Sequence, residues 1–181
     1  MVGLTEPSLL GFQALAIEYL ERLDAAESPD EREKWISLAE DVVRRGFERH
    51  GELGLIPTPY SVSEGQDLAQ LYEVQGILLR HRGAPASEQA QSLRRAFRSS
   101  PDARRAWLVA QILYIAAETE AEETREAFIV ESLDYYAQLL AYSRANPIQL
   151  EKNLILLETH YAEHFPFLED RLAELRGRYP R

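Results

Sequence analysis

From Leu9 to Leu175 the apolar residues of this chain return every three or four positions. Strand signals, in which apolar and polar residues alternate, do not recur. A chain patterned this way has one means of burying its apolar surface, which is to pack helix stripes against helix stripes. The first stripe is Leu9, Phe12, Leu15, Ala16, Tyr19, Leu20 and Leu23; the second is Trp35, Leu38, Ala39, Val42, Val43 and Phe47.

The stripes are separated by residues that start or stop helices. Thr5-Glu6-Pro7 reads as the first start, with Pro in the opening turn. Ser28-Pro29-Asp30-Glu31 combines a capping hydroxyl, a proline at the first helical position and acids against the helix dipole. Gly51 reads as the end of that helix. Residues 51–62 then form the longest irregular stretch, a length often tied to function. Ser63-Glu64-Gly65-Gln66 reads as a capping box, and Gly83 as the next stop. Pro85-Ala86-Ser87, Ser100-Pro101-Asp102 and Asn146-Pro147 read as further starts, with the acidic run Glu118–Glu123 as a separator and Pro166 as the last break. The count is about eight helices, paired as hairpins over 7–50, 63–100, 102–145 and 147–178. The expected fold is a single all-α domain spanning 1–181.

Composition narrows the function classes. The 181 residues are 45% hydrophobic and 28% charged, a globular balance. The absence of Cys removes disulfides, thiolate metal sites and a Cys nucleophile. A net charge of −10 opposes nucleic-acid binding, which needs a positive face. The N-terminus has no signal-peptide pattern, and the longest apolar run, Ala106–Ala117, is about half of what a bilayer span needs. These features point to a cytoplasmic protein that binds neither nucleic acid nor membrane.

Residues 72–101 resemble one tetratricopeptide repeat. The first helix reads Tyr72-x2-Gln75-Gly76-x2-Leu79, the turn carries Gly83, and the second helix reads Gln89-x3-Leu93-x2-Ala96 before Pro101. Gly76 and Ala96 are small enough to let two helices approach closely. The pattern restarts at Trp107, 35 residues after Tyr72, and Tyr114 falls where the family has Tyr, so the match is clearest over 72–114. Ala110 and Gln111 depart from the family's Leu and Gly. The resemblance implies a short right-handed solenoid whose first helices line a concave groove for a peptide or helix. Carried over by position, that groove is Gln70, Glu73, Ile77, Arg80 and His81, followed by Arg105, Leu108, Ile112 and Ile115. The family's Lys/Asn carboxylate clamp is missing, because no Lys or Asn occurs between residues 35 and 145.

Two further features bear on partners. Arg80, Arg82, Arg94, Arg95, Arg98, Arg104 and Arg105 crowd one segment, and residues 80–107 carry about +5 against about −9 before and −6 after. Arg94, Arg95, Arg98 and Arg105 are candidates for docking an acidic partner. Trp107, Tyr114, Tyr135 and Tyr136 are the basis of an alternative, a small-molecule or sensory pocket between hairpins.

His160-Tyr161-Ala162-Glu163-His164 spells the H-x-x-E-H string of the inverzincin metalloproteases. Those enzymes need a third ligand well downstream, and too little chain follows His164. The expectation is therefore a non-enzymatic scaffold with no catalytic residue, metal or cofactor. Phe167, Leu168, Leu172 and Leu175 read as one side of a capping helix, which favours a monomer over a homodimer.

Overall fold

The structure, a computed structural model, describes residues 8–53 and 62–179. Among these residues every regular element is helical, so the all-α expectation holds. The helices are α1 (Leu9–Asp24), α2 (Pro29–Leu53), α3 (Val62–His81), α4 (Ala86–Ser99), α5 (Ala103–Thr119), α6 (Glu122–Ser143), α7 (Pro147–Leu157) and α8 (Glu169–Arg178). A π-helical turn, Glu158–Ala162, continues α7, and a 3-10 turn, Pro166–Leu168, leads into α8. The chain divides into two compact units, 1–101 and 102–181.

Local chemistry accounts for most of the boundaries. The Ser8 hydroxyl accepts from the Gly11 amide and caps α1. The proposed start at Thr5–Pro7 lies outside the described residues. The Ser28 hydroxyl accepts from Glu31 N–H, as the Ser-Pro-Asp pattern requires. Asn146 caps α7 through the Gln149 amide, with Pro147 opening the helix. Helix α3 stops at Gly83, whose φ of +70° only glycine adopts without strain. There Gly83 N–H donates to Arg80 C=O and Ala84 N–H to Leu79 C=O, closing a Schellman motif.

Other boundaries differ from the reading. Helix α2 runs through Gly51 to Leu53, so residues 51–53 of the expected loop are helical, and 54–61 lie outside the described residues. Ser63 sits inside α3 instead of capping it. Asp102, not Ser100, caps α5, because its carboxylate accepts from Arg105 N–H at 2.7 Å. Only Glu120 and Ala121 separate α5 from α6; the rest of the acidic run is helical.

In unit 1, α1 packs on α2 and α3 on α4, joined by short links. Helix α3 also packs on α1 and α2, so it is surrounded on several sides. The core gathers Phe12, Ala16, Leu23, Ile36, Ala39, Val42, Leu68, Leu71 and Leu78. The sequence reading put Leu38 in the buried stripe of α2, but Ile36 is buried there and Leu38 is exposed. Trp35 packs at the edge of that core, where it meets Tyr19, 5.7 Å away, with Arg22 and Lys34 over its ring. The close α3–α4 approach is as expected: a Cβ on Gly76 would lie 3.4 Å from Leu93, and Ala96 is fully buried.

In unit 2, α5 packs on α6 through Ala106, Val109, Ala110, Leu113 and Ala117. These small residues bring α6 close enough for the Ser132 hydroxyl to donate to the Ala110 carbonyl at 2.6 Å. The same oxygen is 2.7 Å from the Tyr161 hydroxyl. Since the one serine proton goes to Ala110, Tyr161 is the donor in that pair. Tyr136 donates to Asn153 C=O, and Asn153 donates to the Ser143 hydroxyl. Helix α7 lies on α6, and α8 packs on the π and 3-10 turns, so the fourth hairpin is not a pair of straight helices. Leu168, Leu172 and Leu175 are buried, whereas Phe167 is exposed.

Candidate functional site

Helix α2 directs Ile36, Ala39 and Val42 into the core of unit 1. Val43 and Phe47, one turn apart, border that stripe. On α3 the neighbouring positions are Gln75, Leu78 and Leu79. Where the two borders diverge they leave an open groove of about 460 Å³. Its floor is Val43, Phe47, Leu78 and Leu79; its polar edge is Glu40, Arg44, Glu48 and Gln75.

Each edge group is already held. Arg44 pairs with Glu48 at 2.6 Å and with Asp41. The Glu48 and Asp41 carboxylates, in that order, raise the Arg44 pKa. Arg82, from just beyond α3, pairs with Glu40 at 2.8 Å and Glu33 at 2.7 Å, tying the end of α3 to α2. Hydrogen bonding to Arg82 holds the Glu33 carboxyl below its ordinary range. Gln75 accepts from the Ser92 hydroxyl at 3.0 Å, which fixes its amide from α4. Phe47 is braced by Tyr72, ring centroids 4.6 Å apart, and Arg95 lies 5.9 Å from the Tyr72 ring. The result is an apolar floor of fixed shape with ion-paired edges of both signs. The lining contains no hydroxyl nucleophile and no imidazole.

The groove read from the sequence falls on other positions. On α3, Gln70 and Ile77 are half-buried, Arg80 is exposed and His81 is half-buried. Glu73 is a correction: it is 7% exposed and displays no surface to a partner. Its helix is packed by α1, α2 and α4, which leaves few of its positions facing solvent. On α5, Leu108 and Ile112 are half-buried and Ile115 is exposed. Arg105 is the second correction, at 4% exposure. It sits in the first turn of α5, where its guanidinium donates to the capping Asp102 carboxylate. On α4, Arg94 is half-buried and Arg95 and Arg98 are exposed. The arginine cluster is therefore not one uniform patch: Arg82 and Arg105 are bound within their own units.

Of the aromatic residues in the alternative reading, Tyr114 and Tyr136 pack against the last segment of the chain. Tyr161 stands edge-on to Tyr114 and to Tyr136, both at 5.5 Å, and Phe165 stands edge-on to Tyr114 at 5.5 Å. Burial pushes the Tyr136 and Tyr161 phenols well above the ordinary range. Trp107 is 43% exposed. His160 and His164 are exposed, and the π-helical turn takes Tyr161 inward between them. Among the described residues no group of three or more His, Asp or Glu is placed to hold a metal ion. No described helix is long and apolar enough to cross a membrane. The chain matches no family model, no curated protein and no solved structure.

Proposed function

We propose that this chain is a non-enzymatic protein-interaction module whose α2–α3 groove receives the apolar side chains of a partner peptide or helix. The observation that carries this reading is the groove's make-up: half-buried Phe47 and Leu79 over buried Val43 and Leu78, edged by charged groups that are already paired. Such edges orient a partner without demanding that it neutralise a buried charge. The tetratricopeptide-like features at Tyr72, Gly76 and Ala96 support the same class, since repeats of that kind present peptide grooves. A second reading has its own support in the groove volume, which lies in the range of small-molecule sites.

Selection of amphipathic peptides on the purified protein tests the proposal. Leu79 is half-buried at the groove, so Leu79→Glu places a charge on the floor while sparing the core. Selected peptides are expected to lose at least about tenfold in affinity, the scale of a central apolar contact. Peptides that bind Leu79→Glu as well as the parent protein would refute the groove as their site. Competition between those peptides and a small apolar ligand separates the two readings.

A further inference from the structure

Helix α5 buries one side in unit 2 and presents another to solvent. Arg104, Trp107, Ile115 and Glu118 are exposed on that side, with Gln111 half-buried between them. Trp107 and Ile115, two large apolar groups on one helix face, are 43% and 44% exposed. The intervals are three, four, four and three, the same in both directions. With 3.6 residues per turn, Trp107 and Ile115 lie about 40° to either side of Gln111, and Arg104 and Glu118 about 20°. The face is a palindrome of position with complementary chemistry at its ends: one basic, one acidic, and apolar groups between.

We propose that this face binds the same face of a second copy of the chain, antiparallel, with the two-fold axis at Gln111. The axis sets Trp107 of each copy on Ile115 of the other and Arg104 of each on Glu118 of the other. A two-fold interface requires this self-complementarity, in which one residue meets another and the reverse pair follows. A parallel arrangement would set arginine on arginine and glutamate on glutamate. A foreign helix would need to reproduce the same sequence of charges, whereas the second copy supplies it. The proposal lies in unit 2 and does not depend on the α2–α3 groove. It replaces the monomer expected from the capping stripe. One helix face buries an area at the low end of specific interfaces, so the dimer is weak and concentration-dependent.

Sedimentation equilibrium of the full chain over a concentration series reads the association. The expected result is a reversible monomer–dimer equilibrium that Trp107→Glu abolishes. Arg104→Glu sets like charges together at both ends and weakens the dimer by about tenfold; adding Glu118→Arg restores it. The chain has no cysteine, so Gln111→Cys offers a second measurement. Helices about 10 Å apart bring the two Cα atoms at the axis to about 5 Å, within disulfide reach. Mild oxidation should crosslink Gln111→Cys faster than Glu21→Cys, a control on an exposed position of α1. A chain that stays monomeric up to its solubility limit overturns the proposal. So does a dimer indifferent to Trp107→Glu, or equal crosslinking at the two positions.

Discussion

At the scale of the residue, the Ser132 hydroxyl has the most consequences. It satisfies the Tyr161 phenol inside unit 2 and ties α6 to the α5 backbone at Ala110. Ser132→Ala leaves a buried phenol without its acceptor and is expected to cost about 1–3 kcal/mol. Tyr161→Phe removes that phenol and leaves the Ser132–Ala110 bond, so it should cost less. The double variant should cost less than the two singles together, as coupled neighbours do. Denaturant unfolding of the three proteins measures this; additive losses would mean that the two hydroxyls are not coupled. His81 gives a pH dependence. Burial chiefly, then Arg80 and Arg32, hold its pKa below the ordinary histidine value, against an opposing pull from Asp24. As pH falls through the unfolded value near 6.5, the unfolded chain takes up a proton that the folded chain refuses. Stability from this group is therefore present above that value and lost progressively below it. His81→Gln should flatten the dependence of the thermal midpoint between neutral and mildly acidic pH.

At the scale of the element, the starts and stops that were legible are those decided within one turn of chain. Ser28, Gly83 and Asn146 act where the sequence places them because each bonds amides or carbonyls a few residues away. Ser100 was a misleading signal because Asp102, two residues on, is a better acceptor for the first-turn amide of α5. The site was less legible because exposure is settled by packing from distant parts of the chain. The five positions read on α3 share a helix face, yet Glu73 is buried and the groove opens at Leu79, half-buried above Leu78. Nothing in the pattern of α3 itself says that three helices crowd it. Gly65 teaches the same lesson. It reads as part of a capping box, but a Cβ there would stand 2.7 Å from the Ser99 carbonyl oxygen of α4. Gly65→Ala is expected to push α3 and α4 apart and cost about 1–3 kcal/mol, as other overpacked contacts do. A fall of several degrees in the thermal midpoint checks this, and an unchanged midpoint would show that the helix ends yield freely.

At the scale of the whole molecule, the net charge of −10 is shared almost evenly, with each unit carrying about half. The division falls at Pro101–Asp102, inside a segment that the sequence marks as a helix start without marking it as a boundary between units. Each unit keeps its own kind of order. Unit 1 relies on an aliphatic core with ion pairs outside it, such as Arg82 with Glu33 and Glu40. Unit 2 adds buried hydroxyls and an amide, all of them satisfied. The π-helical turn at Glu158–Ala162 makes the fit of its last segment a matter of counting. Such a turn holds one residue more than the α-helix around it would. Tyr161 reaches Ser132 from within that turn. Losing one residue here would rotate the tyrosine off its partner while leaving the remaining amino acids unaltered. Chain length at this point, more than composition, keeps the hydroxyls of unit 2 in register.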